Sequence, residues 1–264
     1  MNEMNKLNDI IKSYGKCAIA FSGGVDSTFL LAAAIKVLGK ENVTAITVIP
    51  PYVAKWEISE AAVLAEKMGV NHINITTAMI DEVKDNPSNR CYVCKTALFT
   101  TMLEKCRELD IDVLCDGSNA DDTKDFRPGM KALKELKIHS PMVEAQMTKQ
   151  QIRDVSLEWK LDTWDKPPYA CLLTRIPHDT KIARSILERI EKSEVAMMEI
   201  GFPYVRVRHH GEIARIEIPR DHFSEFVTGG FYEDISEKLK SYGYQFVTLD
   251  LGGYKMGSMN RNGE

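Results

Sequence analysis

The chain has 264 residues, a formal net charge of −4 and 44% hydrophobic residues. This length allows one large domain and a small one, and the acidic balance, without a Lys/Arg block, disfavours an extended nucleic-acid surface. No run approaches the length of a bilayer span or the pattern of a signal peptide, so we expect a cytoplasmic protein with no membrane contact. The six cysteines form no dense framework, which favours reduced thiols or metal ligands over disulfides.

Strands and helices alternate through the first two-thirds of the chain. The predicted strands are Cys17–Phe21, Val43–Val48, Asn71–Thr76 and Asp112–Cys115, and the predicted helices are Thr28–Ile35, Glu57–Met68, Arg90–Leu109 and Thr148–Lys160, the last opened by a Thr148…Gln151 capping box. Such alternation indicates an α/β fold with a doubly wound parallel sheet. Ligands bind at the carboxyl ends of the strands in folds of this kind.

The pattern changes after the proline-containing loop Asp162–Asp179. A long amphipathic helix, two alternating strands, a further helix and a last strand follow, at Ala183–Ile200, Val205–Arg208, Ile213–Ile218, Phe231–Ser241 and Tyr244–Leu251. We therefore predict two domains, residues 1–180 and a small α+β domain of residues 181–264. The small domain is expected to bind substrate or to mediate assembly, and we expect a homo-oligomer.

A glycine turn joins the first predicted strand to its helix. Its sequence is Ser22-Gly23-Gly24-Val25-Asp26-Ser27, which is neither Walker A nor GxGxxG. Glycines let backbone N–H groups approach an anion, and the helix N-terminus adds unpaired donors. The turn resembles the PP-loop of the ATP pyrophosphatase superfamily, so we expect it to bind ATP, with Asp26 helping to hold Mg²⁺; the alternative is a glycine turn with no ligand.

Three cysteines fall where they could serve chemistry. Cys91 and Cys94 lie three residues apart at a predicted helix start, so their sulfurs share one helix face. Cys171 lies in the irregular loop at the domain boundary. A metal or catalytic role and an ordinary structural role both remain open for the CxxC pair. The remaining cysteines sit in apolar patterns and are expected in the core: Cys17, Cys106 and Cys115.

Two polar segments have competing interpretations. The segment Asp116–Asp122 follows a strand, so its carboxylates could reach a magnesium ion on pyrophosphate, or it could be an Asp/Asn/Gly-rich turn. In the small domain, Arg206, Arg208 and His210 share one sheet face by period two. That row could grip a phosphate, or it could be a solvated charged face.

The whole chain resembles the LarE family, ATP-dependent sulfur transferases of nickel-pincer cofactor biosynthesis. The resemblance covers nearly the full length and is carried by Ala20–Ser27, Asp125–Gly129, Arg175–Pro177, Gly201–Arg208, Ile213–Glu217 and Thr248–Gly253. The family adenylates carboxylates of a pyridinium-3,5-dicarboxylic acid mononucleotide and converts them into thiocarboxylates. It implies an enzyme that uses ATP, Mg²⁺, a small mononucleotide substrate, and sulfide or another sulfur donor.

The resemblance also implies roles for individual residues. Some members sacrifice one cysteine sulfur, whereas others look like carriers of a 4Fe–4S cluster on three cysteines, and Cys91, Cys94 and Cys171 match the three-cysteine kind. With Asp26, these are the expected catalytic residues. Three thiolates leave one iron site open to hold hydrosulfide. The substrate phosphate is expected on Arg175, Arg206 and Arg208, with Glu194 and Glu225 as polar neighbours of that pocket.

Three alternatives remain for the function. A thiolase of the same fold could act on tRNA or another small molecule, although the acidic balance counts against tRNA. An ammonia-dependent amide synthetase of the NAD-synthetase type would not need the cysteine trio. An iron–sulfur or zinc protein could use ATP only structurally.

Overall fold

The computed structural model describes residues 2–123 and 128–255. Its contacts divide the chain into two compact units, Met1–Val83 with Asn89–Tyr169, and Lys84–Ser88 with Ala170–Glu264. The loop after Ala170 belongs to the second unit because the Asn86 amide Nδ2 donates to the carbonyls of Ile176 and Pro177, at 2.9 Å each. The unit boundary therefore falls before residue 180.

A four-stranded parallel sheet forms the centre of the first unit. Its strands are β1 (Cys17–Ala20), β2 (Val43–Ile49), β3 (Asn71–Thr76) and β4 (Leu114–Cys115), in the spatial order β3-β2-β1-β4. This is the predicted parallel sheet, and β1, one of its two inner strands, leads into the glycine turn.

Helices cover both faces of this sheet. They are α1 (Glu3–Tyr14), α2 (Val25–Leu38), α3 (Lys55–Met68), α4 (Arg90–Glu108), α5 (Pro128–Glu135), α6 (Pro141–Glu144) and α7 (Lys149–Glu158). Ile19 and Ala45 pack with α1 and α2 in one core cluster, whereas Ala18 and Ile46 pack with α4 in another. Neighbouring residues of one strand point to opposite faces, so the doubly wound arrangement is confirmed.

The second unit is a small α+β structure. It contains α8 (Arg184–Glu199), β5 (Arg206–His210), β6 (Ile213–Glu217), α9 (Phe223–Thr228), α10 (Phe231–Ser241) and β7 (Phe246–Leu249). Strand β6 pairs antiparallel with β5 and parallel with β7. Apolar residues of α8, α10 and the sheet form a separate core.

Four helices have no counterpart in the sequence prediction. Helices α5, α6 and α9 have 8, 4 and 6 residues, too few for a clear helical period. Helix α1 buries only Leu7 and Ile11. Of the motif Asp125–Gly129, residues 125–127 lie outside the described part of the chain. None of the helices in the described ranges combines the length and the apolar composition of a membrane span.

Candidate active site

The glycine turn lies at the carboxyl end of β1 and opens α2. The Phe21 N–H donates to the Ile46 carbonyl at 2.9 Å, which fixes the chain just before the turn. Gly23 has φ +69°, and a Cβ there would come within 3.1 Å of the Ala61 backbone in α3. Both the left-handed conformation and the close approach require glycine. The predicted strand–turn–helix is therefore present.

Hydroxyl groups brace the turn from inside. Ser22 Oγ and Ser27 Oγ are 3.1 Å apart, and Ser27 Oγ donates to the Gly24 carbonyl at 3.3 Å. A Cβ at Gly117 would lie 3.1 Å from the Ser27 backbone nitrogen, so the loop after β4 closes tightly on the start of α2. These contacts hold the turn in shape at the helix N-terminus, where the first N–H groups lack helical partners.

The Asp26 carboxylate contacts the side chains of Lys149 and Asn119. Its Oδ2 lies 2.5 Å from Lys149 Nζ, and its Oδ1 accepts a hydrogen bond from Asn119 Nδ2 at 3.2 Å. Lys149 is not among the site residues predicted from the sequence. Its position at a helix start is predicted by the sequence. The Thr148–Gln151 capping box is present and makes Lys149 the first residue of α7.

A cleft of about 190 Å³ opens beside the turn. It is lined by Ser22, Gly24, Asp26, Lys149 and the segment Lys166–Tyr169, among others. Lys166 Nζ donates to the Gly23 carbonyl at 2.9 Å and contacts Glu60 Oε2 at 2.7 Å. Two lysines and helix N–H groups therefore meet in one cleft, which suits a polyphosphate.

The segment Asp116–Asp122 behaves as a turn. Asp116 is buried and accepts hydrogen bonds from the Ser118 N–H at 3.1 Å and from Ser140 Oγ at 2.5 Å. Asp122 Oδ2 accepts from the Asn119 N–H at 3.0 Å. The structure thus favours the turn over a magnesium site for Asp116.

Cys91 and Cys94 lie three residues apart within the first two turns of α4, on one face. Cys91 is exposed, and Cys94 is partly buried with its Sγ 3.0 Å from the Tyr52 hydroxyl. Burial raises the pKa of the Cys94 thiol, and the Tyr52 hydrogen bond acts in the opposite direction. Cys171 is partly buried in the second unit. As predicted, three cysteines are buried in the core: Cys17, Cys106 and Cys115.

The residues that the structure describes form no complete metal site around these thiols. Over residues 2–123 and 128–255, no group of three or more His, Cys, Asp or Glu side chains could hold a metal ion. The CxxC pair supplies two soft ligands on one helix face, which is compatible with a metal or cluster but does not complete one.

Arg206 and Arg208 are buried on β5, at 3% and 4% exposure, so this face is not solvated. Arg208 Nη2 lies 2.7 Å from the fully buried carboxylate of Glu217 on β6. Arg206 lies over the Tyr254 ring, 5.2 Å from its centroid. Burial, followed by Arg215, lowers the pKa of His210. His210 is therefore neutral at pH 7, and the positive charge on this face comes from arginines.

Arg175 is almost fully buried in the same unit. Its Nε and Nη2 meet the two oxygens of Glu194 at 2.9 and 3.0 Å, and its Nη1 donates to the carbonyls of Ala170 and Cys171 at 2.5 and 3.2 Å. Arg175 therefore braces the loop that carries Cys171. Its predicted contact with a substrate phosphate stays a prediction.

The two predicted pocket glutamates differ in their surroundings. Glu194 is buried, and its Oε1 also accepts from the Val207 N–H at 2.9 Å. Glu225 is exposed on α9, where its carboxylate lies 3.2 Å from His222 Nδ1. The structure thus ties Glu194 to Arg175 and to β5, while the pocket role of Glu225 stays a prediction.

Comparison with known proteins places the chain in a family. A family profile described as NAD synthase matches residues 3–101. An uncharacterized protein of Synechocystis sp. is 36% identical over 97% of both chains. The pyridinium-3,5-bisthiocarboxylic acid mononucleotide synthase of Lactiplantibacillus plantarum is 33% identical over 95% of this chain and 91% of its own. An uncharacterized protein of Methanocaldococcus jannaschii is 30% identical over 95% of both. With its glycine turn at the carboxyl end of β1, the chain belongs to the LarE family of ATP-dependent sulfur transferases.

Proposed function

We propose that this enzyme adenylates a carboxylate of pyridinium-3,5-dicarboxylic acid mononucleotide and replaces the activated oxygen with sulfur. The observation that carries the proposal is similarity, over nearly the full length, to a synthase of the corresponding bisthiocarboxylic acid mononucleotide. The braced turn and its cleft in the first unit support the ATP half of the reaction. Pyrophosphate leaves in the first step, and the acyl adenylate loses AMP when sulfur attacks.

Charge neutralisation is the main task of the first step. The N–H groups at the start of α2 and the hydroxyls of Ser22 and Ser27 bind the departing pyrophosphate. Asp26, at 27% side-chain exposure, would hold magnesium, whose chemistry is to neutralise phosphate charge. Positioning by the turn then aligns the α-phosphate with the attacking carboxylate.

The sulfur step uses Cys91, Cys94 and Cys171. These thiolates fit a 4Fe–4S cluster by donor type, and such a cluster would supply an iron that keeps hydrosulfide deprotonated for attack. The first two residues share one face at the start of α4. Arg175 orients the Cys171 backbone through its two carbonyl contacts. The sulfur comes from sulfide or a sulfur donor, so no protein atom is consumed.

Tyr52 is expected to tune the sulfur centre through Cys94. Tyr52 is 1% exposed and its hydroxyl lies 3.0 Å from Cys94 Sγ. A hydrogen bond to a ligating sulfur stabilises the more negative, reduced cluster. Tyr52→Phe should therefore lower the cluster's midpoint potential by roughly 20 to 60 mV while iron content is retained, as measured by anaerobic redox titration.

The matched control is Tyr92→Phe on α4, the helix that carries Cys94. The Tyr92 hydroxyl donates to Glu135 at 2.5 Å instead of to a thiol. Its potential should equal that of the parent. Equal potentials for the Tyr52 variant and the parent would show that this hydroxyl does not act on the cluster.

Arg206 and Arg208 are assigned to the substrate phosphate. Both are buried cations on one face of β5, and a buried phosphate monoester pairs well with guanidinium groups. Arg206→Ala should weaken mononucleotide binding about 10-fold or more, since a charge-assisted contact is lost. ATP binding should not change. Both affinities can be measured by calorimetry.

A change at Arg208 affects stability as well as binding, because Arg208 forms an ion pair with the fully buried Glu217. The two effects therefore have to be measured separately. Arg208→Ala should lower the melting temperature as well as substrate affinity, since a buried carboxylate loses a partner. Arg184→Ala removes an exposed cation paired with Glu188 and serves as control. If Arg206→Ala binds the mononucleotide as tightly as the parent does, this face of β5 does not bind the substrate.

The alternatives predict different requirements for pyrophosphate release. The proposed enzyme requires the pyridinium mononucleotide, a tRNA thiolase requires tRNA, and an amide synthetase uses ammonia in place of sulfide. A protein that binds ATP only structurally releases no pyrophosphate. Pyrophosphate assays with each acceptor therefore test the proposal, which fails if the mononucleotide does not stimulate release.

A further inference from the structure

The ion pair between Lys149 and Asp26 occupies the carboxylate proposed to hold magnesium. Nζ and Oδ2 are 2.5 Å apart, and the side chains are 35% and 27% exposed. A pair this exposed is weak in water, with a strength of at most about 1 kcal/mol in similar cases. It can therefore open when a stronger counter-ion for either partner arrives.

The backbone of Lys149 is fixed while its ammonium lies in the cleft. Thr148 caps α7 by the capping box, and the Lys149 N–H donates to Asp121 Oδ2 at 2.8 Å. The side chain lines the same cleft as Ser22 and Gly24 of the turn. An ammonium released from Asp26 therefore stays beside the place where the turn would bind phosphate.

The other lysine of the cleft is held differently. Lys166 is only 12% exposed, and it is bonded to the Gly23 carbonyl and to Glu60. That ammonium supports the backbone of the turn. Lys149 is paired with the residue that a metal ion would take over, so the two lysines are suited to different tasks.

Two cations compete for one carboxylate when magnesium binds. Magnesium requires close oxygen ligands, and an ammonium 2.5 Å from Oδ2 both blocks that oxygen and repels the ion. The phosphate oxygens of ATP are the anion that can accept the displaced ammonium.

We propose that Lys149 is an exchanging counter-ion of the ATP site. It neutralises Asp26 in the nucleotide-free enzyme and moves to a phosphate oxygen of ATP when magnesium takes over Asp26. Lys149 thus becomes a further catalytic residue, since it contacts the phosphates during adenylation. The inference rests on the proposed role of Asp26 as the magnesium-holding residue.

The exchange predicts two effects of Lys149→Met with opposite signs. ATP binding at saturating Mg²⁺ should weaken about 10-fold, because the ammonium that moves to the phosphate is absent. The dissociation constant of Mg²⁺ for the nucleotide-free enzyme should fall about 3- to 5-fold, because magnesium no longer displaces an ammonium from Asp26. Calorimetry gives both values.

Matched variants separate the effect of a direct contact with phosphate from the effect of the protein's overall charge. Lys67→Met removes a lysine from an exposed pair with Asp162 at 2.6 Å and should change neither value. Lys149→Arg should keep much of the ATP affinity at saturating Mg²⁺, since it keeps the charge. Contact effects should persist at high salt, whereas long-range effects are screened. Thermal melting verifies that each variant is folded.

Unchanged ATP affinity at saturating Mg²⁺ for Lys149→Met would overturn the phosphate contact. An unchanged or raised Mg²⁺ dissociation constant for the nucleotide-free variant would overturn the exchange, because no ammonium would then compete for Asp26. A parent enzyme that binds ATP but needs no magnesium would contradict the role proposed for Asp26, and the exchange with it. A parent that binds no ATP would overturn the proposed function as a whole.

Discussion

Replacing Asp26 with asparagine is expected to reduce pyrophosphate formation by about 100-fold or more while the fold is retained. Asp26 lies at the start of α2 with a partly exposed side chain, so its loss leaves no buried charge unpaired. Its carboxylate would hold the ion that neutralises the leaving pyrophosphate, and loss of one such electrostatic group has an effect of this size. Pyrophosphate release with saturating MgATP and mononucleotide is the measurement.

The control for this variant is Asp162→Asn, because Asp162 forms an exposed pair with Lys67 in the same unit. It should release pyrophosphate at the parent rate. Circular dichroism and melting should be similar for both variants and the parent. Release at the parent rate by Asp26→Asn would show that this carboxylate does not act on the phosphates.

Substitution of any one of Cys91, Cys94 and Cys171 by alanine should abolish both cluster assembly and sulfur transfer. A cluster held by three thiolates loses its site when one is removed, so the three residues act as a unit. ATP binding should be retained, because the turn and its cleft do not contain these residues. Iron, acid-labile sulfide and thiocarboxylate are measured after anaerobic preparation.

The matched control is Cys106→Ala, which removes a buried thiol from the same helix as Cys91 and Cys94. It should cost about 1 kcal/mol of stability and leave iron content unchanged. If Cys91→Ala still transfers sulfur over repeated turnovers, the cluster mechanism is wrong. If only Cys171→Ala is inactive, Cys171 is a lone sulfur donor.

The fold was predictable where the signal is local. The strand β1, the glycine turn and α2 follow one another within Cys17–Leu38, so their order and their chemistry can be read from adjacent residues. The capping box at Thr148 is also a local signal and is confirmed. Short helices such as α6, with 4 residues, carry no period and were missed.

The partners within the site were not predictable because tertiary structure sets them. Lys149 is 123 positions from Asp26 in the chain. They meet because the loop after β4 holds the start of α7 beside the turn, through the hydrogen bond from the Lys149 N–H to Asp121 Oδ2. A lysine at a helix start otherwise reads as a surface charge.

Buried charge posed the same difficulty in the second unit. A row such as Arg206 and Arg208 has the same spacing on a solvated face as on a covered one. Glu217, which forms the ion pair with Arg208, lies on the neighbouring strand β6 and is directly opposite Arg206 in the register. That pairing supplies the carboxylate that buried arginines require, and it could not be read from the spacing within one strand.

Mass spectrometry of substrate and protein after one anaerobic reaction tests cluster-based sulfur transfer most directly. The reconstituted enzyme is incubated with MgATP, sulfide and the pyridinium dicarboxylic acid mononucleotide. We predict more than one oxygen-to-sulfur exchange in substrate per enzyme, equal amounts of AMP and thiocarboxylate, and an unchanged protein mass. A single turnover with conversion of Cys171 to dehydroalanine, or AMP formation without any sulfur in the product, would contradict it.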